Sequence, residues 1–465
     1  RPALLACVLV MLAGNLHPLW HMLTGQGLAA FNYLAASRVL AHAITEFPLL
    51  SLLVGDLHAH YQALALLLMF ILWLPPRAER TTAATAVGIL LGNLALVATA
   101  LANPWNLAAM LLIFLAVHWH KLTDWPWWSL LPALALLPWL WPVQGQGVSP
   151  AWLDAGRRSE MGPFLLMWGM PILLCAGLLD WRDRCQAALR RPGYWGLLVV
   201  LWLVLGPAAA LCLGVALALF LGHARANALW AVLAATGLVL VAIPEVVYLR
   251  DPYPPPFERM NTVFKFSYAA WPLIMLGAAR GALCWLSAGA PNAMGAWRAG
   301  LVLMLSTLFV YPALAITQRL DRHADRPYWD GFAGLRAEHA ADMHLIAWLR
   351  AMRTPGEVCL EAPGDAYTWS GRIGALAGCP VPLGWESHEV VWRGGSGNRR
   401  AEVDALYAGD DPAQRRMLLD RYRIRWVVVG SVERARYRAE ELAVWSGHYP
   451  VAYRYGDGVI YRIGP

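Results

Sequence analysis

The sequence has 465 residues, 58% hydrophobic and 14% charged, with a mean hydropathy of +0.45. Soluble globular domains carry roughly 25% charged residues, which excludes a water-soluble protein with one ordinary core. The charges divide unevenly, 28 in residues 1–317 (about 9%) and 39 in residues 318–465 (about 26%), and only the second share is an ordinary soluble composition. An α-helical polytopic membrane domain over 1–317 and a small soluble domain over 318–465 are therefore expected. The net charge of +7 falls almost wholly on the first part, so it bears on membrane orientation and makes nucleic acid an unexpected partner.

The chain opens with Arg1 and runs straight into Leu4-Leu5-Ala6, with neither an initiator Met nor a signal-peptide cleavage pattern, so an N-terminally truncated sequence is expected. A membrane helix needs about 20 largely apolar residues. Stretches of that kind lie near 3–23, 57–74, 83–101, 106–120, 126–142, 162–179, 194–221, 228–248, 263–285 and 298–317. The loop with Arg182, Arg184, Arg190 and Arg191 is the most basic short connection, which makes it cytoplasmic and puts 24–56, 102–105 and 143–161 outside. Residues 249–262 and the soluble tail also fall outside when the count starts from Arg280 and Arg298. The two counts then disagree by one crossing. Gly206-Pro207 breaks the long stretch 194–221, which reads as two short crossings or a re-entrant pair, so about 10–11 crossings are expected. Many of the 25 Trp residues lie at stretch ends, among them Trp20, Trp105, Trp125 and Trp127, as an interfacial aromatic belt requires.

Ionisable side chains at membrane depth are costly without a partner and tend to be functional. They gather in two places. The first runs from Thr45-Glu46-Phe47-Pro48 to Gly55-Asp56-Leu57-His58-Ala59-His60. Asp56, His58 and His60 share a face if the segment is extended, whereas on a helix Asp56 and His60 are neighbours and His58 points away. Either arrangement suits a carboxylate base or a divalent cation; the competing reading makes Asp56 the N-cap of the helix that follows. The second place is Pro244-Glu245, Arg250-Asp251, a Pro-rich loop, then Arg259-Met260-Asn261-Thr262-Val263-Phe264-Lys265. Arg259, Asn261 and Lys265 at a helix start describe a phosphate site, or else a charge set paired internally, such as Arg259 with Asp251 or Glu258.

These residues carry a resemblance to the YYY family of uncharacterised multi-pass membrane proteins. The similar stretches are Gly14-Asn15-Leu16, Ser37-Arg38, the Glu46 to His60 block, Asn103/Trp105 and Arg259 to Phe266. In the tail they are Gly371-Arg372-Ile373, Leu383 to Arg393 and Tyr422 to Gly430. The tyrosine run that names the family lies upstream of the Gly-Asn-Leu motif there and is absent from this sequence. The family's architecture is similar to that of C-type (GT-C) membrane glycosyltransferases, which implies a sugar taken from a polyprenyl-phosphate donor with an acidic residue as base or metal ligand. In those enzymes the first outer loop usually supplies the catalytic carboxylate, which would make Asp56 a second acidic motif.

From Asp321 the pattern alternates. Helices are expected at 340–352, 367–377, 401–407 and 412–422, strands at 358–361, 381–383 and 425–430, and a hairpin at 451–463, which together favour a small α/β layer fold. Gly384 to Arg393 fits neither period; its Trp385, Glu386, His388, Glu389, Trp392 and Arg393 suit contact with an acceptor saccharide or lipid headgroup, or a loop docking the tail onto the membrane part. Of seven Cys, Cys359 and Cys379 alone lie in the tail, where a disulfide is one outcome and two free thiols the other.

The leading functional expectation is a C-type glycosyltransferase at the outer face, with membrane lipid and a lipid-linked sugar donor as partners. Asp56 and Glu46 would orient the acceptor or a divalent cation, His58 and His60 would support or ligate, and Arg259, Asn261 and Lys265 would hold the donor phosphate. The rivals are a lipid or polysaccharide transporter or flippase, which predicts internal repeats, and a non-catalytic membrane assembly protein.

Overall fold

A computed structural model describes residues 2–27, 31–56, 58–74, 82–140, 149–179, 190–223, 225–250, 253, 255–288, 294–322, 330–393 and 396–464. Arg77, Arg80, Arg182, Arg184 and Asp251 lie outside these, as do the side chains of Trp392 and Arg393. The chain forms two compact units, one from residues 1–322 apart from 144–147, the other from 323–465.

The first unit is a helical bundle with α1 (Pro2–Leu12), α2 (His17–Leu23), α3 (Pro48–Val54), α4 (Ala59–Trp73), α5 (Thr82–Ala102), α6 (Asn106–Trp119) and α7 (Leu131–Leu140). It continues with α8 (Met161–Cys175), α9 (Pro192–Leu205), α10 (Pro207–Gly222), α11 (Ala228–Ala242), α12 (Met260–Ala288), α13 (Met294–Thr307) and α14 (Val310–Arg322). Among the described residues, five helical segments are long and apolar enough to cross a membrane, six if the pair α1 and α2, bent by 64°, is one span. Four shorter apolar helices, α4, α6, α9 and α10, accompany them. Length and hydropathy among the described residues thus support fewer crossings than the 10–11 expected, because Gly, Pro and polar residues interrupt the apolar stretches. At about 1.5 Å per residue, the 14 residues of α9 reach only about 21 Å of a roughly 30 Å hydrocarbon core.

Gly206, at φ +87°, joins α9 to α10 as a helical hairpin, in which the Tyr194 hydroxyl donates to the Gly214 carbonyl at 3.1 Å. This break supplies one more helix than the unbroken stretch would. Leu179 bridges to His223 at one end of the bundle, while Arg158 reaches the Val204 carbonyl at the other, so three helices, α9, α10 and α11, run between those ends. Strand β1 (Pro150–Trp152) pairs antiparallel with β2 (Val247–Leu249), which ties two of the connections expected on one side to the same end.

The axis of the bundle is α12, and it is held by small residues. A Cβ on Gly281 would stand 2.1 Å from the Leu174 carbonyl oxygen of α8, and one on Gly177 would stand 2.2 Å from the Gly281 oxygen. Close backbone approach of this kind is how helices associate where lipid offers no hydrophobic drive. Around it, Trp271 stacks on Phe47 at 5.0 Å and donates its indole N–H to Val10 O at 3.1 Å. Trp125 is 3% exposed and packs against Gly92, so it belongs to the core and not to the expected belt.

The second unit is a four-stranded sheet, β3 (Val358–Leu360), β4 (Ile424–Val429), β5 (Val451–Tyr455) and β6 (Gly458–Arg462), in the order β3-β4-β6-β5. Only the β3–β4 pair is parallel. Helices α15 (Gly331–Glu338), α16 (Ala340–Met352), α17 (Arg372–Ala377), α18 (Glu386–Arg393), α19 (Arg399–Ala408), α20 (Pro412–Tyr422), α21 (Ser431–Arg436) and α22 (Ala439–His448) surround it. Apart from Arg425, strand β4 is apolar because both its faces are covered. Trp426 and Val428 pack with Leu345, Ile346 and Ile373, whereas Val427 and Val429 pack with Val403, Leu406 and Trp445. Cys359 and Cys379 form a disulfide closing a 20-residue separation.

Three expectations for the tail are corrected. The helix expected from Tyr367 starts only at Arg372, since Tyr367 (φ +62°) and Gly371 (φ +80°) are left-handed. Residues 381–383 form no strand; the preceding Pro380 carbonyl accepts from Cys359 N at 2.8 Å instead. Gly384 to Arg393 is mostly helix, because the Trp385 carbonyl accepts from His388 N (3.0 Å) and Glu389 N (3.1 Å) and so starts α18.

Candidate functional site

The first polar motif is positioned by a helix that ends early. Pro48 opens α3 with its fixed φ, and Gly55, at φ +78°, closes it. Gly55 N and Asp56 N both donate to the Ser51 carbonyl, at 3.0 and 3.1 Å. Asp56 therefore follows the end of α3 and is exposed, and the N-cap of α4 is His58, so the capping role considered for Asp56 is not the one it has.

His58 and His60 meet, as the extended arrangement allows and the helical one does not. Their rings lie 4.4 Å apart, with the two Nδ1 atoms at 2.5 Å, so one imidazole donates its N–H to the other. Buried His60 stacks on Phe264 at 4.5 Å and meets Tyr268 edge-on at 5.9 Å, while His58 meets Phe264 edge-on at 5.7 Å. The Nε2 atom of His60 is buried and has no hydrogen-bond partner among the described residues. Two imidazoles sharing a proton do not aim both lone pairs at a common ion. Among the described residues no group of three His, Cys, Asp or Glu gathers as a metal-binding set.

The second motif arrives on α12. Asn261, Phe264, Lys265 and Tyr268 recur at helical spacing and share a face. Tyr268 donates its hydroxyl to Ser51 Oγ at 3.1 Å, and Ser51 Oγ in turn donates to Glu46 Oε2 at 3.4 Å, so a polar chain links the two motifs across more than 200 residues. Lys265 Nζ lies 4.7 Å from the centre of the Trp105 ring, a cation–π contact, and its charge also acts on His60. Trp105 stands on the turn between α5 and α6, where the Asn103 amide donates to Asn106 Oδ1 at 3.0 Å. Burial raises the Glu46 carboxyl above its ordinary range; the Arg38 guanidinium opposes this, and the Asp56 charge adds to it.

Arg259 is elsewhere. It is 3% exposed and pairs with Glu245, Nη1 to Oε1 at 3.3 Å, while its Nη2 reaches Ser159 Oγ at 3.3 Å. Glu245 also accepts from Ser159 N (2.8 Å) and Ser159 Oγ (2.7 Å). Of the two partners considered, Glu258 pairs instead with Arg157 at 2.5 Å, and Asp251 lies outside the described residues. Neutralised in this way, Arg259 braces the start of α12; the cation whose charge acts on His60 is Lys265, and the one that acts on Glu46 is Arg38.

Residues 1–274 match the family described as uncharacterized membrane protein, DUF2298. The chain belongs to this family. The matched residues take in the Glu46 to His60 block, Trp105, Glu245, Arg259 and the face of α12 down to Tyr268, so the whole constellation lies within the family's extent. No curated protein matches the chain.

In the tail of this DUF2298 chain the remaining expected residues separate by role. Glu386 is bound by Arg400 at 2.7 Å and Ser396 at 2.9 Å, whereas Trp385, His388 and Glu389 face a cleft. A buried charge cluster beside them had not been expected. Arg372 donates to Asp342 (2.7 Å) and Glu433 (2.7 Å) and lies 3.6 Å from Glu361, with every one of these side chains at most 1% exposed. A signal for it exists, since Asp342 falls on the same helical stripe as Leu345, Ile346 and Leu349. For Tyr268 the signal is its position on the Asn261 to Lys265 face of α12.

Proposed function

We propose that the chain is a membrane glycosyltransferase of the C type, which moves a sugar from a polyprenyl-phosphate donor to an acceptor at the outer face of the membrane. The observation that supports this reading is the convergence of the two polar motifs on one face of α12, where carboxylates, imidazoles and a lysine meet beside an indole. In this reading Asp56, exposed and next to Glu46, takes the proton of the acceptor's nucleophilic X–H group. The nucleophile bonds to the anomeric carbon as the bond from that carbon to the phosphate oxygen breaks, and the electron pair leaves with the polyprenyl phosphate. Lys265, with Asn261, stabilises the phosphate charge, Trp105 fixes the lysine, and His58 with His60 carries protons beside it. Arg259 holds the start of α12 and does not touch the donor.

Transfer of labelled sugar from a polyprenyl-phosphate donor, followed with the chain in membranes, tests the assignment. Asp56→Asn is expected to lower kcat at least 100-fold, and Lys265→Met to raise the donor KM. Undiminished transfer by Asp56→Asn would remove its role as base.

A further inference from the structure

The tail contains a cleft of about 670 Å³ that the transfer reaction does not use. It falls within the size range of small-ligand sites, roughly 300–1,000 Å³. Three features define what it takes. Its floor is bare: Gly371, Gly374 and Gly384 line it, and at Gly371 (φ +80°) a Cβ would stand 3.2 Å from the Trp385 indole nitrogen, so no side chain fits without displacing the ring. Its wall is aromatic, lined by Trp385 and His388, with Tyr367 beside these two rings. The Trp385 ring is fixed by its N–H donating to Ser370 O at 2.7 Å, and Tyr367 stands 5.4 Å from it, with His388 5.2 Å from Trp385 and 5.5 Å from Tyr367.

Tyr367 is 81% exposed and holds a left-handed φ of +62°, a conformation uncommon for a non-glycine residue. Hydroxyl donation from Thr368 (2.6 Å) and Ser370 (3.2 Å) to Asp365 O braces this turn. A large ring is thereby held in solvent at a backbone cost and without core packing in return. The third feature is charge. Among the described lining residues the charged side chain is Glu389, which lies 3.9 Å from Arg399, and none of them is Lys or Arg, so their charge disfavours an anionic ligand such as a phosphate or a uronate.

We infer that this cleft is a saccharide-binding site for an uncharged hexopyranose, whose C–H face stacks on Trp385 and Tyr367 while its hydroxyls hydrogen-bond to Glu389 and His388. The site is independent of the transfer reading, since binding here needs neither donor nor Asp56. The sugar is either free or carried on a lipid.

The test uses the full chain in nanodiscs without donor. Calorimetric titration with free glucose, mannose and N-acetylglucosamine trisaccharides forms one arm, and nanodiscs containing glucosyldiacylglycerol, read by hydrogen exchange at residues 365–371, form the other. Binding in either arm is expected, weakened at least tenfold by Tyr367→Ala, which removes an exposed ring only, and by Glu389→Gln. Binding in the first arm identifies a free saccharide, and in the second alone a lipid-borne one. No binding in both arms, binding unchanged in both variants, or tighter binding of a uronic-acid trisaccharide each overturns the inference.

Discussion

Arg259 shows how far residue identity goes without partners. A guanidinium at the start of a helix has the chemistry of a phosphate ligand, and the competing internal pairing was foreseen, but Glu245 as its partner was not. The pair is sealed, both side chains being 3% exposed. Removing one member of a buried pair leaves an uncompensated charge and typically costs about 3–5 kcal/mol, whereas apolar replacement of both is often neutral. Arg259→Ala is therefore expected to lower the thermal unfolding temperature of the detergent-solubilised protein sharply, and Arg259→Met with Glu245→Met to restore most of it. Equal losses in the single and double variants would show that the helix start does not depend on this pair. Lys265 differs in that its ammonium lies over the face of Trp105, 4.7 Å from the ring centre.

Among the elements, those that matched expectation are long or strongly patterned. Helix α16 spans the expected 340–352, α20 the expected 412–422, and β4 lies within one residue of its expected run. Elements that failed, such as α18, are short and begin on a contact made elsewhere, here a carbonyl beside an indole anchored to Ser370. The crossing of α8 and α12 is invisible to periodicity, since a glycine in an apolar helix reads only as a weak position. Gly281→Ala places a methyl group 2.1 Å from a backbone oxygen that cannot rotate away, so the helices must separate. It is expected to cost at least about 2 kcal/mol or to abolish folded expression, as overpacking does. Gly295→Ala in α13, where a Cβ meets nothing within 4 Å, is expected to be neutral or stabilising by up to about 1 kcal/mol. Similar unfolding profiles for the two variants would contradict the close crossing.

For the molecule as a whole, the two units face different electrostatic problems. The helical unit carries few charges and holds some of them in pairs, Arg157 with Glu258 and Arg259 with Glu245, while the tail buries one guanidinium with three carboxylates. Burial, opposed by Arg372 and by the N–H groups of Gly374 and Ile373, leaves the Glu361 carboxyl pushed up to about 7, with the Glu433 charge adding to the rise. The sign of the pH dependence follows from linkage. Between the unfolded value of 4.5 and about 7 the folded tail holds this proton more tightly than the unfolded chain does, so stability falls as pH rises through that window. Asp342 works the other way: Arg372 and the Ser431 hydroxyl and N–H outweigh its burial and lower it below 3.8, so its contribution is full above that value and is lost on further acidification. Urea unfolding of the tail within the full chain, followed by a probe on β4, is expected to give higher stability at pH 5 than at pH 8. Glu361→Gln should remove most of that difference, and an unchanged slope would mean that Glu361 does not hold the proton.

The sequence by itself determined the division of the chain and its class. Charge density separates an apolar membrane part from a part of ordinary charge content, and apolar periodicity marks the strong helices and the buried strand, because burial in lipid or between two layers demands a composition that can be counted residue by residue. It also identified the polar residues worth attention, since an ionisable group in an apolar stretch is conspicuous wherever it lies. Tertiary structure alone decided which of them meet. Phe264 gathers His58 and His60, Ser51 links Glu46 to Tyr268, Glu245 takes Arg259 away, and Trp385 and His388 line a cleft with three glycines. Each of these contacts joins residues on different elements, and its geometry is set by how closely the backbones pack, which no local pattern encodes.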